Sequence, residues 1–216
     1  MNAPMNPNKA LWEKGDFTRI AESMRESGEA LIQRLGISKG LKVLDLGCGD
    51  GTTAIPAAKL GAEVLGVDIA SNLVAAGNNR AKQLGLANCR FQEGDAANLH
   101  QVPEAAFDLV VSIFGAMFAP KPFEVAKETV RVTRPGGRII MGNWIPNDPT
   151  LVAQILKISS ALHAATAGRL RQPDDVGDRE QRDRTICRRG SSRREDLLCP
   201  GHLYVQLSLP PRGVRG

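Results

Sequence analysis

Three glycines punctuate the segment Val43-Leu44-Asp45-Leu46-Gly47-Cys48-Gly49-Asp50-Gly51, and an acid, Asp68, stands seventeen residues beyond the last of them. Glycines at 47, 49 and 51 admit backbone angles closed to other residues and let a ligand reach the main chain where a Cβ would collide. A turn that leads from a strand into a helix also presents free backbone N–H groups to electron-rich ligand atoms. Asp68 ends the run Val64-Leu65-Gly66-Val67-Asp68. At a strand tip its carboxylate accepts hydrogen bonds from both hydroxyls of a ribose. The plainer role is a cap for the next helix, a task that Ser71 also suits.

The spacing discriminates between two nucleoside cofactors. The dinucleotide fingerprint Gly-x-Gly-x-x-Gly needs a glycine three places after its second one. Here that place is Thr52, and the glycine comes one step early, at Gly51. Asp45 and Asp50 flank the turn; they would repel a pyrophosphate and suit a ligand carrying a cationic amine and a sulfonium. A nicotinamide-dependent oxidoreductase is therefore the weaker of the two readings.

The elements that must position these residues alternate. Strands are expected at Lys42–Leu46, Glu63–Val67, Cys89–Gln92, Phe107–Ile113 and Arg138–Asn143, with helices near Thr52–Leu60, Ser71–Leu84, Pro122–Val132 and Thr150–Ser160. Pro56 should leave the first of these helices short or kinked. The order implies parallel strands joined by crossover helices: an α/β, Rossmann-like, doubly wound, mostly parallel sheet flanked by helices. Leu11–Leu35 reads as a helix ending at Gly36 and packing beside or over that domain. The expected division is an N-terminal helical segment at 1–36, a cofactor domain at 37–161 and an atypical tail at 162–216.

At these residues the sequence resembles the class I S-adenosylmethionine-dependent methyltransferases, especially the small-molecule, quinone-biosynthesis-like group, over about Leu11–Ser160. The resemblance implies that Asp45, Gly47, Cys48, Gly49 and Gly51 lie in the motif that wraps the methionine part of S-adenosyl-L-methionine. It also implies that Asp68 holds the ribose, that Ile69 lies beside the adenine, and that Gly94-Asp95-Ala96 meets the adenine edge, with Asp95 accepting from the exocyclic amine. Ser112 and Ile113, ending Phe107-Asp108-Leu109-Val110-Val111-Ser112, would approach the transferred methyl, unless Ser112 only closes its strand. Arg134-Pro135-Gly136-Gly137-Arg138 resembles the family's turn into the fifth strand.

Methyl transfer from a sulfonium is an in-line displacement, so the protein mainly positions the partners and excludes water. If the acceptor is a phenol or enol, His100 is the candidate general base, its alternative being an exposed loop residue. Phe114, Met117, Phe118 and Trp144 follow strand ends and could form an apolar acceptor pocket or ordinary core, and Trp12 and Phe17 could close over it. No metal is needed.

Composition limits the partners. Residues 1–161 hold 17 basic and 16 acidic side chains, whereas 162–216 hold 11 arginines, no lysine and seven acids, so +4 of the +5 net charge belongs to the tail. The expected partner is thus a small-molecule methyl acceptor and not nucleic acid. Without an apolar run of eighteen residues or a secretory signal, a cytoplasmic protein is expected. Cys48, Cys89, Cys187 and Cys199 form no Cys-x-x-Cys pair and read as reduced thiols. The tail reads as disordered or as the product of a shifted reading frame, and nothing after Ser160 resembles the two strands with which the family finishes its sheet. An S-adenosylmethionine-binding protein with impaired catalysis is the alternative that this tail raises.

Overall fold

The computed structural model describes Asn6, residues 8–144 and, as backbone, Arg194–Cys199 and His202–Ser208. Five strands, β1 (Lys42–Leu46), β2 (Glu63–Asp68), β3 (Cys89–Glu93), β4 (Phe107–Ile113) and β5 (Thr133–Trp144), pair in parallel in the order β3-β2-β1-β4-β5. Parallel strands need crossovers, and α4 (Ala54–Lys59), α5 (Ser71–Gln83) and α6 (Pro122–Val132) provide three of them. Strand order reverses between β1 and β4, the place where open α/β sheets bind their ligands.

Both faces of the sheet are covered, as its apolar strands require. Val43, Leu109, Val111 and Ile140 pack with Ile55 and Ala58 of α4, Ala81 of α5 and Leu31, Ile32 and Leu35 near the N-terminus. On the opposite face Leu44, Leu46, Val67 and Val110 pack with Val132 and with Leu99 and Val102 of the connection before β4. The N-terminal segment is thereby built into the first of these cores.

That segment is three short helices where one was expected: α1 (Lys9–Trp12), α2 (Phe17–Glu22) and α3 (Arg25–Arg34). Gly15 interrupts the first pair, and a Cβ there would stand 3.1 Å from the Phe17 ring. The turn folds Trp12 back onto Phe17, with ring centroids 5.1 Å apart. Between α2 and α3, Ser23 Oγ donates to the Ile20 carbonyl at 2.7 Å, a local bond that competes with helix continuation. Pro56 needs no kink, because α4 begins only at Ala54 and the proline falls in the first turn, where its missing N–H would have had no partner.

Two further strands, β6 (Arg194–Cys199) and β7 (His202–Ser208), extend the sheet to the order β3-β2-β1-β4-β5-β7-β6, with β7 antiparallel to both neighbours. This corrects the expectation that nothing after Ser160 resembles the strands with which the family finishes its sheet. The alternation Leu203, Val205, Leu207 against Tyr204, Gln206, Ser208 has the period of a strand. The helix expected near Thr150–Ser160, and the rest of the expected tail, lie outside the described residues. Among the described residues no helix is long and apolar enough to cross a membrane.

Candidate functional site

The loop after β1 makes its turn through left-handed glycines, at φ +67° for Gly47, +54° for Gly49 and +93° for Gly51. Gly47 lies against the loop after β4: a Cβ on it would stand 2.5 Å from the Gly115 Cα. Gly49 faces open space, with no atom within 4 Å of where a Cβ would sit. Beside it, Asp68 accepts the Gly49 N–H on Oδ2 at 2.8 Å and the Ala70 N–H on Oδ1 at 2.9 Å. Burial raises the Asp68 carboxyl above its ordinary value, against the pull of the Ala70, Gly49 and Ile69 N–H groups, and the carboxylate keeps accepting capacity for a ligand.

The loop opens into a cavity of about 1000 Å³. Of the residues expected to hold a cofactor, Gly47, Cys48, Gly49, Asp68, Ile69 and Ala96 line it. Asp45, Gly51, Asp95 and Ser112 are not among its lining residues, and each has another task. Asp45 is 1% exposed and accepts the Thr53 hydroxyl. The place of a Cβ on Gly51 is taken by the Phe91 ring and Ile55. Asp95 accepts the Ala97 N–H at 2.9 Å and the Asn6 amide at 3.0 Å, closing its own loop and holding the N-terminal segment. Ser112 donates to the Leu46 carbonyl at 2.7 Å and accepts the Ala116 N–H at 3.0 Å, which makes it the closure of β4. Cys48 keeps its thiol protonated, since burial pushes it well above its usual range. His100, the expected base, is exposed and outside the cavity lining, near enough to Glu128 of α6 to act on that carboxylate.

Burial pushes the Asp45 carboxyl up to about 7, opposed by the Thr53 hydroxyl and assisted by the charge of Asp68. The folded chain then holds a proton that the unfolded chain releases at its ordinary value of 3.8. Stability conferred by this site is expected to fall as pH rises through that window and to level off above about 7. Asp45→Asn should flatten this part of the profile, as melting temperatures of the two proteins across the window will show.

The acid at 50 is clamped. Its side chain is 2% exposed and takes both arms of the Arg25 guanidinium, with Arg80 Nη1 at 3.6 Å from the same carboxylate. Arg25 also reaches Thr52 Oγ1 at 2.7 Å, and α3 comes so close that a Cβ on Gly28 would meet Thr52 at 2.6 Å. Thr52, which broke the dinucleotide pattern, is thus a seat for α3. Arg25 was not legible from spacing, since a long-range ion pair leaves no local signal. Arg25→Ala leaves buried Asp50 with one guanidinium and is expected to cost about 2 kcal/mol in denaturant unfolding, with Arg25→Lys recovering part of it.

The cavity also has an aromatic lining, as expected for Trp12, Phe17, Phe114, Phe118 and Trp144, all of which line it; Met117 is buried and is not among the lining residues. Trp12 lies between Phe17 and Phe118, 5.1 and 5.2 Å from their centroids, and Phe114 stacks on Trp144 at 4.2 Å. Phe114 adopts φ +57°, a conformation uncommon outside glycine that turns the chain sharply at the end of β4.

The N-terminal segment is bolted across the strand tips. Asn8 donates to the Phe118 carbonyl at 2.9 Å, Lys9 pairs with Glu93, and Glu13 accepts the Ser71 N–H and hydroxyl at 3.1 and 2.7 Å. The last contact supplies the N-terminal cap of α5 from outside that helix, relieving Asp68 and Ser71 of the role. Asp108, on the opposite end of β4, pairs with Arg134 at 2.6 Å and accepts the Lys42 N–H, a structural role.

Relatives accord with this architecture. An uncharacterized protein of Mycobacterium tuberculosis is 40% identical over 138 residues, 63% of this chain and 50% of its own length. A demethylmenaquinone methyltransferase of a Geobacillus species is 33% identical over 127 residues, 57% of this chain and 53% of its own. The chain spans about half the length of the curated relatives it matches. Phosphoethanolamine N-methyltransferase 2 of Haemonchus contortus, solved in complex with S-adenosyl-L-methionine, shares the fold with a TM-score of 0.73 at 16% identity, over 98% of this chain and 61% of that one. The model of the methyltransferase domain matches residues 37–182, two thirds of the chain and all five parallel strands, and the chain belongs to that family.

Proposed function

We propose that the chain binds S-adenosyl-L-methionine in this cavity and transfers its methyl group to a small molecule. The observation that carries the reading is the pairing of open Gly49 with Asp68, whose two oxygens are fixed by backbone N–H groups and keep lone pairs for two ribose hydroxyls. The bound cofactor supplies a sulfonium methyl, an electrophile that needs no activation by the protein. Ile69 and Ala96 offer apolar walls for the adenine, and the loop through Gly47 and Cys48 leads toward the aromatic end. That end is apolar and fits an acceptor of small-molecule size. A nicotinamide dinucleotide is disfavoured because Thr52, bonded to Arg25 and packed on α3, fills the place of the third glycine.

Calorimetric titration with S-adenosylhomocysteine, with NADH as the control, tests the reading. Micromolar binding of the first and none of the second is expected. A folded chain that ignores S-adenosylhomocysteine would sink it.

A further inference from the structure

Gly94 and Ala96, just after β3, both line the cavity, whereas Asp95 between them is not among its lining residues. Its carboxylate faces Asn6, which does stand in the lining: Asn6 Nδ2 donates to Asp95 Oδ2 at 3.0 Å, and the Ala97 N–H holds Oδ1 at 2.9 Å. Chemistry fixes which way the Asn6 amide points. Its Oδ1 accepts the Asn8 N–H at 3.0 Å, and a backbone N–H can only donate, so the NH2 group is the end that meets the acid. An NH2 group of the N-terminal segment therefore covers the Asp95 carboxylate from the cavity side.

This acid lies in the loop that adjoins the nucleoside end of the cavity. The Gly94 N–H donates to the Asp68 carbonyl at 2.9 Å, and Ile69 and Ala96 are the apolar residues assigned above to the walls of the base. The exocyclic amine of adenine is an NH2 on an sp2 carbon. It has the planar shape and the two donors of an amide NH2, and a carboxylate that accepts one can accept the other in its place.

Resting on the cofactor reading of the cavity, we propose that Asn6 is a built-in competitor of the cofactor, holding Asp95 until the adenine amine displaces it. One donor replaces another on Oδ2. The amine then adds little net affinity in the wild type, because the bond it gains is the bond that Asn6 gives up. Displacement also undoes one fastening of the N-terminal segment, while those made by Asn8, Lys9 and Glu13 stay in place.

Calorimetry of the full chain with two ligands tests the competition, the first being S-adenosylhomocysteine and the second its analogue with hydrogen in place of the 6-amino group. In the wild type the two affinities are expected to lie within about threefold of each other. In Asn6→Ala the preference for the amine should grow about tenfold, since the carboxylate is then open to it without a rival. Asn6→Asp keeps an acceptor for the Asn8 N–H and loses only the donor, so the preference should move the same way with the start of α1 still capped. Adding Asp95→Ala to Asn6→Ala should return the preference to near its wild-type value.

A purely structural Asn6 would change both affinities in parallel. A preference that stays within about twofold of the wild type in both Asn6 variants would overturn the proposal, as would one that moves against the amine or a gain that survives the loss of Asp95. A folded wild-type chain that binds neither ligand refutes the cofactor reading itself, and the competition falls with it.

Discussion

Asp68→Ala is expected to weaken S-adenosylhomocysteine binding by at least about a hundredfold. Hydrogen bonds to a charged acceptor are worth about 1.5–3 kcal/mol each, and two ribose hydroxyls lose theirs. The substitution also releases the N–H groups of Gly49 and Ala70, which the carboxylate holds at 2.8 and 2.9 Å, so the glycine loop loses its anchor to β2. Asp68→Asn separates the two effects. One of its side-chain atoms still accepts, but the amide nitrogen faces an N–H, and intermediate affinity with a modest fall in melting temperature should follow. A folded Asp68→Ala chain that binds within about threefold of the wild type would mean that the ribose is not held here.

The glycine loop and its acid were legible because their signal is local. Phe107–Ile113 and Pro122–Val132 were read with the bounds the structure has, since long apolar or amphipathic periodicity settles an element without outside help. Asp45, expected within the motif that wraps the methionine part, does not line the cavity. Its neighbour in the alternation, Val43, belongs to the core on the helix α4 side, and a strand's two-residue period turns Asp45 to that same side, where Thr53 waits. That placement was within reach of the sequence. The break of 11–35 into three helices was not, because it follows from Trp12 finding Phe17 and Phe118, and one of those partners lies a hundred residues away. β6 and β7 were missed for a related reason: a hairpin at a sheet edge is defined by pairing with β5, and an arginine-rich composition spoke louder than a seven-residue alternation.

The N-terminal segment earns its place in the site through two kinds of contact on one stretch of chain. Polar groups of Asn6, Asn8, Lys9 and Glu13 fasten it to the end of β3 and to the segments beyond β2, β3 and β4, and Trp12 and Phe17 of the same stretch line the cavity. Arg25 then ties α3 to the glycine loop itself. Trp12, Phe17 and the glycine loop are therefore held by one continuous segment, and changes in the first thirty-five residues should be felt at both.

Two alanine substitutions two positions apart in the loop should have opposite signatures. In Gly47→Ala the new Cβ would lie 2.5 Å from the Cα and 2.9 Å from the carbonyl carbon of Gly115, at a φ of +67°. Neither partner is a flexible side chain, so the ends of β1 and β4 must part, and a loss of about 3 kcal/mol or more of stability is expected. Gly49→Ala carries only the conformational penalty of its φ of +54°, about 1 kcal/mol, because nothing lies within 4 Å of the new methyl. Its effect should appear in binding: Gly49 lines the cavity, and a methyl in the space a ligand needs should lower S-adenosylhomocysteine affinity by more than about tenfold. Urea unfolding and calorimetry on the pair would check both halves. If Gly49→Ala bound as the wild type does, the open space beside that glycine would not be where the cofactor lies, and the loop would be a structural turn between β1 and α4.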